Sequence, residues 1–275
     1  GQFHDILPGT SLPKCYEYSW NDELLALNQF AGVLDSAVGA IASGLDTQVK
    51  GVPLVIYHPL SIERQDIVEA VVTLPGGAPK AVRVLDPKGV EVAAQVLSAD
   101  RGVVKVLFLA TVPSVGFAVY DVQAADAPAA SSLKVTDSSL ESARYRVTLD
   151  KNGDVAGIFD KKASRELLSA PIRLAFMHDF PAAWPAWNMD WADVQKGPQD
   201  YVSGPATVKI VENGAARVAL QVVRESRNSR FVQTIRLAAG EAGNRVEFSD
   251  TIDWQSSECN VKAVFPLSVA NPLAT

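Results

Sequence analysis

The sequence predicts a mainly β protein with an N-terminal helical segment. In the first fifty positions, apolar residues recur at steps of three and four, the spacing of one helical face. After Gly51 the chain changes to short apolar runs, rich in β-branched residues and separated by turns about every ten residues, a pattern typical of an antiparallel sandwich. A stretch of small residues, AADAPAASS, divides two such β regions. We therefore predict a helical segment at 1–50, a small β-sandwich at 51–123, a linker at 124–132 and a second β region at 133–275.

The predicted helix is amphipathic between Leu24 and Ile41. Ser19 is a candidate N-cap, and Asp22 three residues later completes an approximate capping box. Gly44 is a suitable residue to end the helix. We expect the apolar face to pack against other helices. The residues of this apolar face are Trp20, Leu24, Leu27, Phe30, Ala31, Leu34, Val38 and Ile41.

The first β region contains five predicted strands, at 52–57, 67–74, 81–85, 103–109 and 117–122. Turns rich in Pro and Gly separate them, at 75–77 and 86–89. The run at 103–109 is almost continuously apolar, so we expect it to be buried on both faces.

The second β region opens with a predicted hairpin. Strands at 143–149 and 155–160 flank the turn Asp150-Lys151-Asn152-Gly153, whose residues favour tight reversal of the chain. Even spacing then predicts a large antiparallel sheet, with strands at 206–212, 217–225, 230–237, 245–254 and 262–267.

Composition excludes several classes of function. The formal net charge is −6 and no basic run occurs, which argues against nucleic acid as a partner. No stretch reads as about 20 consecutive apolar residues, so we expect no membrane partner. Cys15 and Cys259 lie far apart, and two buried thiols are favoured over a disulfide. Gly1 leads directly into a motif, so we expect the chain to be part of a longer protein.

Two segments contain residue types suited to chemistry. His4 and Asp5 precede a Pro-Gly turn; histidine is the commonest metal ligand, and a carboxylate can orient it. Three tryptophans fall within residues 184–191, beside Asn188 and Asp190. Aromatic rings stack on sugars, whereas polar side chains read hydroxyl directions. By residue type alone, an ordinary histidine and a packed surface flap remain the simpler interpretations.

Several motifs together resemble glycoside hydrolase family 38, the α-mannosidases of bacterial type. FHDILPGTS at 3–11 resembles the segment that closes the catalytic domain, and PLSIER at 59–64 resembles the start of the β region, with His58 in place of the usual Asn. Further similar stretches are DKNG at 150–153, IFDKK at 158–162, RELL at 165–168 and the strands at 227–237 and 248–254. The chain is therefore identified as a fragment from the end of the catalytic domain, through the helical middle domain, into the C-terminal β domains.

The resemblance implies part of a galactose-mutarotase-like supersandwich at 133–275 and a zinc-dependent retaining α-mannosidase as the parent enzyme. His4 matches the C-terminal zinc ligand, and Asp5 matches an acid that approaches bound mannose. Trp187, Asn188 and Asp190 match a stretch that folds towards the sugar subsites. The other ligands, the nucleophile and the acid are expected upstream, so no catalytic residue is expected in this fragment. The implied partners are a mannose-containing oligosaccharide and the upstream catalytic domain.

Two other functions remain open at this stage. A carbohydrate-binding or scaffolding β module would need no acids, and a mutarotase-like enzyme would need a histidine and a glutamate, for which only His178 is a candidate. Fold alone does not choose among them. The remaining polar residues are given structural roles: His58 in a turn, Arg64, Arg165 and Glu166 in ion pairs, and residues 160–162 as a solvated turn.

Overall fold

The computed structural model describes residues 5–7, 9–185 and 187–269. It confirms a mainly β protein with a helix near its N-terminus. The chain divides into two compact units. The first unit comprises the described parts of residues 1–46, 176–200 and 257–261, and the second unit comprises those of residues 47–175, 201–256 and 262–275.

Helix α1 spans Pro13–Ala42 and begins earlier than predicted. The assignment of Ser19 as N-cap is wrong, because Ser19 lies inside the helix and its hydroxyl donates to Glu23. Leu12 occupies the N-cap position without a side-chain hydrogen bond. Proline explains the early start, since its fixed φ and missing N–H suit the first turn of a helix.

The apolar face of α1 is exposed. None of its residues is buried, and large apolar side chains along it, such as Leu27 and Phe30, face solvent. By length and composition, the helix is also long and apolar enough to cross a membrane. The expectation that no stretch approaches the apolar content of a membrane-spanning helix is therefore wrong, because the many Ala, Leu and Val residues of α1 raise its average hydropathy despite the scattered polar residues. Core helices and signal sequences meet the same criterion, so length and composition assign no membrane role.

The first β region forms a two-sheet antiparallel sandwich. Its strands are β1 Val52–His58, β2 Arg64–Thr73, β3 Ala81–Leu85, β4 Glu91–Val92, β5 Ala94–Asp100, β6 Val103–Val112 and β7 Gly116–Ala125. One sheet has the order β1-β7-β3-β4, and the other has the order β2-β6-β5. Between them lies a core that includes Val84, Phe108 and Tyr120.

Strand β6 is buried on both faces only in part. Val103 and Lys105 are exposed, whereas Val106, Leu107 and Phe108 are buried in succession. The expectation of a strand buried throughout is therefore wrong for its first half. Its second half is covered from outside the sandwich, because a Cβ added at Gly240 would lie 2.6 Å from a methyl carbon of Leu109.

The second β region contains three further antiparallel sheets. Its elements are β8 Lys134–Val135, β9 Ser139–Glu141, β10 Tyr145–Leu149, β11 Val155–Asp160, β12 Arg165–Glu166, β13 Arg173–His178, α2 Trp191–Val194, β14 Asp200–Tyr201, β15 Thr207–Asn213, β16 Arg217–Ser226, β17 Ser229–Ala238, a 3₁₀ helix Gly240–Asn244, β18 Glu247–Asp253 and β19 Cys259–Val264. The sheet orders are β12-β11-β10-β9-β8, β14-β13-β19 and β15-β16-β17-β18. A second core, which includes Leu140, Leu220 and Ile235, lies between the first and last of these sheets.

The predicted hairpin at 150–153 is confirmed. The carboxylate of Asp150 accepts hydrogen bonds from the N–H groups of Asn152 and Asp154, and the N–H of Gly153 donates to the carbonyl of Asp150. Gly153 has φ +79°, a conformation that glycine adopts without strain.

Polar contacts join the two β regions within the second unit. Oε1 of Gln95 on β5 accepts the N–H of Ala216 at 3.1 Å and that of Arg217 at 2.9 Å. Oε1 of Gln65 on β2 accepts the N–H of Glu241 at 2.9 Å. Side-chain amides therefore take the place of backbone partners at this junction.

Two arginines add ion pairs at the same junction. Arg217 contacts Glu69 at 3.1 Å and Glu212 at 2.6 Å, and Arg245 contacts Asp66 at 2.7 Å. A hydrogen bond from Lys105, followed by the one from Arg217, lowers the pKa of Glu69. The junction is thus most favourable when its carboxylates are ionised.

Candidate functional site

The N-terminal motif is described only from Asp5 onward, and His4 lies outside the described residues. The carboxylate of Asp5 accepts a hydrogen bond from the Thr10 hydroxyl at 3.1 Å. The N–H of Thr10 donates to the Asp5 carbonyl at 3.0 Å, and the Tyr16 hydroxyl donates to the same carbonyl at 3.3 Å. Asp5 therefore closes a turn that the first turns of α1 help to hold.

The tryptophan loop, defined here as residues 179–199 between β13 and β14, is braced by Asp190. One carboxylate oxygen of Asp190 accepts the N–H of Ala182 at 2.9 Å, and the other accepts the side-chain amide of Asn188 at 2.9 Å. The carbonyl of Trp184 accepts the N–H groups of Trp187 and Asn188. Two of the predicted sugar-contacting residues, Asn188 and Asp190, thus shape the turn that presents the third, Trp187.

The rings of the tryptophan loop are exposed. Trp184, Trp187 and Trp191 expose 75%, 62% and 71% of their surface. The interpretation of a packed flap is therefore wrong for these side chains. Exposed aromatic rings held by a polar turn can stack on an apolar surface, whether a sugar face or another protein.

A polar cluster at the base of the loop was missed by sequence reasoning, apart from His178. The side-chain nitrogen of Gln199 lies 3.2 Å from Nδ1 of His178. Asn260 donates to Asp179 at 3.2 Å, and its buried Oδ1 has no hydrogen-bond partner among the residues that the structure describes. Asn260 lies 81 positions beyond Asp179, so no local signal could have joined them.

The described residues contain no group of three or more His, Cys, Asp or Glu side chains that could hold a metal ion. Within those residues, Cys15 and Cys259 are free thiols, the first exposed and the second buried. The expected buried pair is therefore correct only for Cys259.

The predicted solvated turn at 160–162 is wrong for Asp160. This carboxyl group is 5% exposed and is held by Arg144 through Nε at 3.0 Å and Nη2 at 2.8 Å. That pairing, reinforced by the N–H groups of Ala163 and Lys162, lowers the pKa of Asp160 to about 2. Nζ of Lys161 contacts Glu141 at 2.7 Å, so two of the three residues have structural partners.

The other polar residues singled out have structural roles. His58 ends β1 rather than lying in a turn; it is buried, with Nε2 2.9 Å from the carbonyl oxygen of Ile62. Arg64 pairs with Asp66, as expected. The ion pairs expected for Arg165 and Glu166 are wrong within the described residues, where neither forms one. Glu166 instead accepts the N–H of Ile158 at 2.7 Å, closing the edge of its sheet.

Comparisons with known proteins agree with the motifs. Residues 140–275 match the family described as "Glycosyl hydrolases family 38 C-terminal domain". The chain is also 24% identical, over 93% of its length, to "Alpha-mannosidase G" of Dictyostelium discoideum. The match covers 26% of that relative, so the chain spans about a quarter of the curated relative it matches. An ordered set of family motifs, a β-rich fold and this match thus place residues 140–275 of the chain in glycoside hydrolase family 38, as its C-terminal domain.

Proposed function

We propose that this chain is the non-catalytic C-terminal part of a zinc-dependent retaining α-mannosidase, which hydrolyses terminal α-mannosides of glycans. The observation that carries the proposal is the braced tryptophan loop, which presents Trp187 to solvent. Its occurrence within a family 38 C-terminal domain favours a sugar as the surface on which the ring stacks. In this proposal the loop contributes substrate contacts, and the chemistry takes place on residues of the upstream domain.

The zinc of this proposal needs ligands beyond the described residues. Zinc sites use three or four protein ligands, and no group of that size occurs in the part of the chain that the structure describes. We assign His4 as one ligand and expect the others upstream. Asp5 would contribute a carboxylate oxygen to a mannose hydroxyl, from the turn that its contact with Thr10 helps to close.

Retention requires two carboxylic acids, a nucleophile and an acid–base residue. We place both upstream, together with the remaining metal ligands. The isolated 275-residue chain should therefore show no mannosidase activity and negligible stoichiometric zinc. It should also be prone to association, because the apolar face of α1 is exposed over several turns and such faces favour contact with other proteins.

The test replaces Trp187 with alanine in the full-length enzyme and measures hydrolysis of an aryl α-mannoside. Loss of one stacking contact should lower kcat/KM about tenfold. Val90→Ala is the control, because Val90 has a similar exposure of 59% but lies in the turn between β3 and β4. An unchanged rate for Trp187→Ala would remove the substrate role, and chelator-sensitive turnover by the isolated chain would place the active site within it.

A second candidate function is a carbohydrate-binding or scaffolding module without activity. The same exposed rings favour it, because stacking on a sugar requires neither acid nor metal. Titration of the isolated chain with a mannose oligosaccharide distinguishes the two functions when combined with the rate of the full-length enzyme. Binding without any turnover by the full-length protein would favour the module.

A further inference from the structure

A cavity of about 280 Å³ lies in the second unit, among the loop after β9, the turn after β11 and the segment that follows β17. Its lining includes two cationic side chains and no carboxylate, in a chain that carries 31 acidic and 25 basic residues. The lining residues are Ser132, Leu133, Ser142, Ala143, Arg144, Lys162, Ala238, Ala239, Gly240, Gly243 and Asn244. Such a composition excludes a metal cation and favours a negatively charged ligand.

Ser142 offers a buried hydroxyl donor to this cavity. The residue is 3% exposed, and its oxygen accepts the N–H of Arg144 at 3.2 Å and that of Tyr145 at 3.0 Å. Two donors occupy the acceptor positions of the hydroxyl, so its own proton remains to be donated. Among the described residues that proton has no acceptor.

Arg144 is fixed in place before any ligand arrives. Its Nε and Nη2 atoms are bound to Asp160, and its guanidinium lies 5.2 Å from the ring centroid of Tyr145. The Nη1 atom makes no hydrogen bond to the described residues. A rigid guanidinium with one unused edge binds an oxyanion at little further cost in side-chain entropy.

Lys162 gives the cavity its excess positive charge. Asp160 offsets the charge of Arg144, and Glu141 offsets that of Lys161 through their 2.7 Å contact. Lys162 has no ion pair within the described residues, so the balance of these five groups is one positive charge. Both charged side chains in the lining are cations, which a neutral sugar would not require.

We propose that this cavity binds a small oxyanion of phosphate size, either free or as the phosphate group of a sugar. Its donors are the Ser142 hydroxyl, Nη1 of Arg144 and Nζ of Lys162. At roughly 30 Å³ per water molecule, the volume of about 280 Å³ exceeds what a phosphate group needs. This proposal is independent of the α-mannosidase function.

The test titrates the purified chain with inorganic phosphate by calorimetry, against sodium chloride at the same ionic strength. We expect saturable phosphate binding that Lys162→Met weakens about fivefold, the effect of a partly exposed ion pair. Lys151→Met removes the same charge from an exposed turn and should leave binding unchanged. Ser132→Phe should also weaken binding, because it narrows the cavity and retains both cations.

Each outcome decides the proposal. The proposal would be overturned by an absence of saturable phosphate binding, or by equal effects of Lys162→Met and Lys151→Met. Full binding by Ser132→Phe would also overturn it, because it would indicate that phosphate binds to diffuse surface charge. Tighter binding of a hexose 6-phosphate than of phosphate would identify a sugar phosphate, and equal binding would identify phosphate itself. A neutral hexose that binds as well as its phosphate would refute the oxyanion. Mannoside hydrolysis by the full-length enzyme is a separate readout, so either proposal can fail alone.

Discussion

Replacing Gln95 with alanine should loosen the junction between the two β regions. Its Oε1 atom accepts two backbone N–H groups of the second β region, from Ala216 and Arg217. Ala216 is fully buried, so water reaches its N–H poorly once the side chain is removed. Gly214 also packs against this side chain, because a Cβ added there would come within 2.1 Å of Oε1 of Gln95.

The magnitude follows from these two donors. A buried donor left without an acceptor costs about 1–3 kcal/mol. The N–H of Arg217 is only partly buried, so water can recover much of its contribution. We therefore expect the free energy of unfolding to fall by about 2 kcal/mol, which corresponds to a decrease in Tm of roughly 4–8 °C for a domain of this size.

Urea unfolding monitored by fluorescence and circular dichroism provides the assay, with Gln255→Ala as the control. Gln255 is exposed and its side-chain amide donates to Asp253 at 2.9 Å, so the loss of that side chain should change stability by less than about 0.5 kcal/mol. Equal stability of the two variants would refute the reasoning, because it would mean that the junction contributes nothing through Gln95.

The remaining predictions concern buried charge. Arg224→Met removes the main partner of Asp154 in a pair that is 97% or more buried on both sides, and it should lower the free energy of unfolding by about 3–5 kcal/mol. The control Lys105→Met removes an exposed contact to Glu69 and should lower it by less than about 1 kcal/mol. Similar losses for the two variants in urea unfolding would contradict this contrast. Because Arg144 lowers the pKa of Asp160 from 3.8 to about 2, this carboxylate stabilises the fold above pH 4 and loses that effect as the pH falls towards 2. Arg144→Met should reduce the loss of stability across that interval, and an unchanged pH profile would argue against the pairing.

Local patterns predicted most of the strands. The hairpin at 150–153 was recognisable because its turn residues and flanking alternation are contiguous, and strand β11 falls at 155–160 as predicted. Short strands such as β8, β12 and β14 were missed, since two residues carry no periodicity. The start of helix α1 was predicted too late, because the capping pattern at Ser19 was taken as its beginning. The helix begins at Pro13, since proline suits the first turn.

The roles of polar residues were harder to predict, because burial depends on distant parts of the chain. Asp160 was interpreted as solvated because two lysines follow it. In the structure it is buried and accepts a hydrogen bond from Arg144, which lies sixteen positions earlier. Asn260 and Asp179 meet for the same reason. In contrast, the tryptophan loop was identified from composition alone, although its exposure and the bracing role of Asp190 required the structure.

The exposed apolar surface supports the view that this chain acts with another domain. Helix α1 has thirty residues and none is buried, yet helices in water draw most of their stability from packing an apolar face. The tryptophan loop likewise presents three rings to solvent. By comparison, the second unit has two cores of its own. Burial of apolar side chains stabilises each by about 1.5–3 kcal/mol. Under the proposed function, covering the exposed face of α1 would therefore contribute several kcal/mol to a contact with the upstream domain.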